Sequence, residues 1–145
     1  MALPPFAWAL AAIGVFDLMG IKTIKNEKQD LTVHEASGLI SEVEMYEAQK
    51  NFYKNNPTTL LLWDMSQADV THITSDILRK FAIKAAELGA LRPTGRTAVV
   101  APEDLQFALA RMSGVFSEME SAPYSFRPFR TREEALQWLK SDNFS

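Results

Sequence analysis

The spacing of apolar and polar side chains changes period repeatedly along this chain, and each change marks an element. IKTIKN at residues 21–26 alternates apolar with polar, the pattern of a half-buried strand. Residues 27–30 are polar and predict a turn. LTVHEAS at 31–37 follows, with Leu31, Val33 and Glu35 on one side and Thr32, His34 and Ala36 on the other, so the two runs predict a hairpin that Gly38 closes. Residues 41–54 carry Val43, Tyr46 and Tyr53 on one helical stripe with Met45, Ala48 and Phe52 beside it, and Asn55-Asn56-Pro57 ends that helix. TTLLLWD at 58–64 is apolar without alternation, which predicts a central parallel strand covered on both faces. MSQADVTHI reads as a polar loop.

Helical spacing returns at Ile73, Ile77, Phe81, Ala85 and Leu88, with Gly89 as the stop. Arg92-Pro93-Thr94-Gly95 predicts a turn, and RTAVVA at 96–101 a second short buried strand. Pro102-Glu103-Asp104 suits a helix start, since proline is tolerated in the first turn and acids favour the positive end of the dipole. Leu105, Ala108, Leu109, Met112, Phe116 and Met119 give this helix its apolar residues, and Ala122-Pro123 ends it. YSFRPF at 124–129 predicts an edge strand, because Pro128 cannot donate to a ladder. Thr131 and Glu134 form a capping box before a last short helix docked by Ala135, Leu136 and Leu139. The order ββα-βα-βα-βα therefore predicts an α/β domain. Its sheet is mixed but mostly parallel, with about five strands, right-handed crossovers and about four helices.

The first eighteen residues do not fit this rhythm. No charged side chain precedes Asp17, and no Lys or Arg precedes Lys22, so the basic flank of a signal peptide is missing. Pro4 and Pro5 leave residues 6–16 as the usable apolar run, too short for a span of about 20 residues. Helical spacing places Phe6, Leu10, Ile13 and Phe16 on one side, but Ala9, Ala12, Val15 and Trp8 make the other side apolar too. The segment is read as a helical appendage, 1–18, ahead of a single domain, 19–145. Three arrangements fit it: packing on its own domain or in a groove of a second copy, lying on a membrane surface, or preceding a true start at Met19.

Composition narrows the function classes. A net charge of −3, from 15 basic and 18 acidic side chains, argues against a nucleic-acid binder working by phosphate neutralisation. No cysteine is present, which excludes thiol nucleophiles and thiolate metal sites and fits a cytoplasmic location. A hydrophobic fraction of 47% suffices for one well-filled core.

Three strings carry a family resemblance: LLLWDMSQAD at 60–69 with ITSDILRKFA at 73–82, GRTAVVAPEDLQFALARM at 95–112, and FRPFRTREEALQWL at 126–139. Over roughly residues 21–139 the chain resembles the STAS fold of anti-sigma factor antagonists, in the SpoIIAA-like, STAS/CRAL-TRIO-like branch of small bacterial proteins. The resemblance implies a small helix-covered sheet and regulation by protein–protein contact. It also places Ser75 near the phosphorylatable serine of the antagonists, without the preceding Asp and following Gly of their motif. From the residues alone, Thr74 or Ser75 is a helix N-cap.

Candidate chemistry follows from the parallel strands, whose carboxyl ends are the usual ligand edge. Asp64, Ser66, Thr74, Ser75, Glu103 and Asp104 could share one rim there, with three carboxylates and no nearby Lys or Arg. No catalytic motif, phosphate loop or metal-ligand spacing accompanies them, and no cofactor is implied; His34 and His72 lie on different elements. Phe107, Met112, Phe116 and Met119 exceed what one buried stripe requires; they fit core packing, and methionine with aromatics also suits adaptable apolar contacts. The expectation is a non-enzymatic interaction or regulatory module, self-associating as a dimer, with Phe6, Leu10, Ile13 and Phe16 as an assembly segment and a protein partner. The alternative is a small carrier of a lipid-like or other apolar ligand, held between the helix carrying Phe107–Met119 and the sheet. Nucleic acid and membrane are not expected partners.

Overall fold

The computed structural model describes residues 15–18 and 20–141. Six strands lie in one sheet in strict sequence order: β1 (Val15–Leu18), β2 (Ile21–Asn26), β3 (Leu31–Leu39), β4 (Leu60–Asp69), β5 (Arg96–Val100) and β6 (Ser125–Phe129). The first two pairings are antiparallel and the remaining three parallel. Helices α1 (Glu42–Lys54), α2 (Ser75–Leu88) and α3 (Asp104–Met119) occupy the three parallel crossovers, and α4 (Arg132–Lys140) follows β6. The α/β class, the mixed sheet and the four helices agree with the periodicity.

Each crossover steps the same way across the sheet, so right-handed connections put α1, α2 and α3 on one face. Strand side chains divide accordingly. Ala36, Leu61, Trp63 and Val99 pack with Met45, Phe52, Leu78 and Ala110 beneath these three helices. Their neighbours Leu31, Val33, Leu62, Ala98 and Val100 point the other way and pack with Ala135 and Leu139 of α4. The unbroken apolarity of LLLW is thus the requirement of a strand with a core on each side.

Two boundaries differ from the sequence reading. The predicted helical appendage reached Phe16, but Val15–Leu18 forms β1, paired with β2 from Val15↔Ile24 to Leu18↔Ile21. The sheet therefore begins inside the segment set apart as 1–18; Phe6, Leu10 and Ile13 lie outside the described residues. The β1–β2 turn is held by Gly20, whose N–H donates to Glu44 Oε2 at 3.0 Å and whose carbonyl accepts from Ser37 N at 2.8 Å. A Cβ at Gly20 would lie 2.7 Å from the Ser37 carbonyl oxygen, so only glycine fits this approach.

The second difference is that MSQAD is strand, not loop. β4 continues to Asp69 along β3, with one extra residue inserted between the pairs Glu35↔Asp64 and Ser37↔Gln67. This bulge shifts the inward phase from Trp63 to Ala68, which hides the strand from a period-two reading. Buried Gln106 of α3 seals it, its amide donating to the carbonyls of Met65 at 2.8 Å and Ala68 at 3.1 Å. No helix among the described residues is long and apolar enough to cross a membrane.

Candidate functional site

The six rim residues are held in three separate groups, joined by no hydrogen bond or ion pair among the described residues. Asp64 and Ser66 form the first. Asp64 Oδ1 accepts from Ser66 N at 3.0 Å and Ser66 Oγ at 2.6 Å, while Asp64 Oδ2 accepts from Arg132 Nη1 at 3.1 Å. The same Arg132 nitrogen donates to Glu35 Oε2 at 2.7 Å. The rim is therefore not free of cations: the first residue of α4 reaches across to close it, 68 residues from Asp64. The Arg132 guanidinium is held above its ordinary value, first by its hydrogen bond to Glu35 and further by the charges of Glu35 and Asp64. A cation shared by two carboxylates offsets half of their charge and holds one oxygen of each in a charge-assisted hydrogen bond.

Glu103 and Asp104 belong to the start of α3. Glu103 and Gln106 make a reciprocal capping box, with Glu103 N donating to Gln106 Oε1 at 3.1 Å. Asp104 Oδ1 accepts from Arg130 Nη1 at 2.9 Å on the exposed surface. Thr74 caps α2, its hydroxyl accepting from Ile77 N at 3.2 Å, and Ser75 is the exposed first residue of that helix.

α3 carries more apolar surface than its seat requires. Phe107, Met112 and Phe116 are half-buried against the three-helix core, and the guanidinium of Arg130 lies 4.2 Å from the Phe107 ring centre. Met119, by contrast, is 62% exposed. It ends a stripe of Leu105, Ala108, Met112, Val115 and Met119, spaced alternately three and four residues apart along the outer side of the helix. Leu105 is 50% and Val115 54% exposed, so half of each lies in water. Such a seam, flanked here by exposed Arg111 and Glu118, is the pattern that packs one helix against another.

Beneath the inner side of α3 lies a cavity of about 90 Å³ between the sheet and helices α1 to α3. The part of its wall that α3 supplies is Gln106, Leu109, Ala110, Ser113 and Ser117, and not Phe107, Met112, Phe116 or Met119. His34 of β3 lines its floor, 1% exposed, with its ring 4.3 Å from that of Trp63. Its Nδ1 lies 2.8 Å from Thr23 Oγ1, and its Nε2 is buried with no hydrogen-bond partner. An unpaired buried polar atom of this kind costs roughly 1–3 kcal/mol. Burial pushes the imidazole down to about 3, so the ring is neutral at physiological pH.

Two other buried side chains were read only as turn and strand-start residues. Arg92, 3% exposed, bonds four oxygens: Nε to Thr58 O, Nη1 to Thr97 Oγ1, and Nη2 to Thr59 O and Arg96 O, at 2.7–3.0 Å. It also stacks between Phe52 and Tyr124, each ring centre 5.2 Å from Cζ. Gly95 allows this, because a Cβ there would stand 2.7 Å from the guanidinium. Arg96, 1% exposed, holds the carboxyl end of α4 through the carbonyls of Trp138 at 2.7 Å and Ser141 at 2.8 Å. The Pro93–Gly95 turn was visible in the sequence; that its flanking arginines turn inward was not.

Among the described residues no group of three or more His, Asp or Glu side chains could hold a metal ion. In comparison with known proteins, the chain matches no protein-family model and no curated protein.

Proposed function

We propose that the chain is a STAS-like, non-enzymatic interaction module that acts as a homodimer, with two copies joined through the outer face of α3. The observation that carries this reading is the apolar seam of exposed Leu105, Ala108, Val115 and Met119, with half-buried Met112 at its centre. Two antiparallel copies of α3 related by a two-fold axis set Met112 of each beside Val115 of the other. The same arrangement brings Arg111 of each copy next to the second copy's Glu118. The contact is isologous, so each favourable charge pair occurs twice and the assembly closes at two subunits. A pair of 16-residue helices about 24 Å long makes a small interface, so the dimer is expected to be reversible and concentration-dependent.

The test is a charge swap read by light scattering after size exclusion. Arg111→Glu and Glu118→Arg should each weaken dimerisation, and the double exchange should restore it, because the pairs reform with opposite sense. Equal dimer content in all four proteins would overturn the pairing.

A further inference from the structure

We infer that the cavity beneath α3 is a binding site for a compact neutral molecule of the phenol class, one ring bearing one hydroxyl that hydrogen-bonds His34 Nε2. The cavity's polar wall groups are already used: the Gln49 amide donates to Phe81 O at 3.1 Å, Gln106 seals the β4 bulge, and Thr97 Oγ1 accepts from Arg92. The Ser113 and Ser117 hydroxyls bond the carbonyls four residues back, at 3.1 and 2.9 Å. The Tyr53 and Tyr124 hydroxyls are engaged by Arg92 and Ser117, which leaves His34 Nε2 as the buried side-chain polar atom of the lining residues with no hydrogen-bond partner. A buried water needs two to four polar partners. A wall lined mostly by apolar side chains, with His34 Nε2 open, is poorly suited to water and better suited to an apolar body with a single polar point.

Charge selects further. The titratable groups in the wall are His34, Tyr53 and Tyr124. Burial keeps the imidazole uncharged and raises both phenols, Tyr124 to about 12, so all three face the cavity as neutral groups. A carboxylate or ammonium entering here would find no counter-charge among the lining residues, and the nearby Arg92 guanidinium is already held by four oxygens. A hydroxyl suits the imidazole in either tautomer. Where Nδ1 donates to Thr23, Nε2 accepts from the ligand; where Thr23 donates, Nε2–H donates to the ligand oxygen.

Size and lining set the remainder. A volume of about 90 Å³ falls far below the 300 Å³ and more of sites for drug-sized ligands, and a cavity of about 150 Å³ is known to take benzene. At about 90 Å³ the cavity is smaller than the one that takes benzene, so a single ring enters only as the flexible thioethers of Met45 and Met65 in the wall give way. A lipid chain does not fit. Trp63, with Phe81 5.8 Å away and His34 on its other side, offers edges and faces for ring packing.

The test is calorimetric titration of the full chain with phenol and, separately, with toluene, the near-isosteric ring without the hydroxyl. Alongside it, the His34 imidazole nitrogens are followed by NMR. Phenol should bind saturably at one site per chain and shift the Nε2 resonance, and toluene should bind about tenfold more weakly, the loss expected for one hydrogen bond. His34→Leu should erase the preference for phenol, and Ala85→Leu, which fills the cavity, should abolish binding of both. No saturation by phenol, binding that leaves His34 Nε2 unmoved, equal affinity for the two rings, or full binding by Ala85→Leu would each overturn the assignment. The NMR readout on the unaltered protein decides the matter even where His34→Leu fails to fold.

Discussion

Helix α4 and helix α3 cover opposite faces of the same sheet, yet they finish their work differently. α4 is short and one-sided: Ala135 and Leu139 are buried, and its exposed positions, Arg132, Glu133, Glu134, Gln137 and Lys140, are all polar. Arginines fix both of its ends, Arg132 on Asp64 and Glu35 at the start and Arg96 on Trp138 and Ser141 at the finish. α3 has no such economy. Its inner side leaves a cavity with an unsatisfied imidazole, and its outer side leaves an apolar seam in water. Stability alone would fill the first and make the second polar. The difference separates a face that closes the fold from a face that keeps surface in reserve for contacts.

The sharpest way to break this contrast is to shorten a side chain on one face and lengthen one on the other. Leu139→Ala removes a side chain that is 2% exposed in a filled core and should cost roughly 2–5 kcal/mol in denaturant unfolding. Ala85→Leu adds volume on the three-helix face, where the cavity can take it, and should leave stability unchanged or raised by up to about 2 kcal/mol. Comparable losses in both would mean that the three-helix core is as tightly filled as the other.

A second prediction uses the imidazole. Its pKa is about 3 folded against 6.5 unfolded, so below pH 6.5 the unfolded chain takes up a proton that the folded chain refuses. Stability is fully present above pH 6.5 and is lost as pH falls toward 3, by an amount on the order of a few kcal/mol. Denaturant midpoints followed from pH 7 to pH 4 in about one-unit steps should show that fall in the wild type, and His34→Leu should remove most of it. Parallel pH profiles for the two proteins would place the ring in contact with water.

These contrasts were only partly legible in the sequence. Period and punctuation located β2 through β6 and all four helices, because each must bury a face and each ends at Gly, Pro, Asn or a cap. The continuation of β4 was lost because its bulge breaks the alternation between Trp63 and Ala68. Asp64 read as an unpaired acid because its cation, Arg132, is distant in the chain and close only once α4 folds back. The apolar surplus on α3 was visible, but not its direction. Leu105, Ala108, Met112, Val115 and Met119 repeat with the same spacing as the inward positions, so a helix apolar on two sides does not reveal which side meets the sheet. Phe107 and Phe116, read as contact surface, pack inward, while Leu105 and Val115 take their place outside. His34 stood in the sequence on the same side as Thr32 and Ala36, a polar ring among core positions, and its open nitrogen became evident only with every neighbour placed.

The smallest structural change carries the largest functional consequence. Val115 is half exposed, so Val115→Lys should alter folding stability by no more than about 0.5 kcal/mol. Sedimentation velocity of the full chain and of Val115→Lys, each across a wide dilution series, tests the pairing of α3 most directly. The wild type should shift from dimer to monomer on dilution while Val115→Lys stays monomeric throughout. A wild type that is monomeric at every concentration, or a Val115→Lys protein that dimerises as the wild type does, would contradict the account.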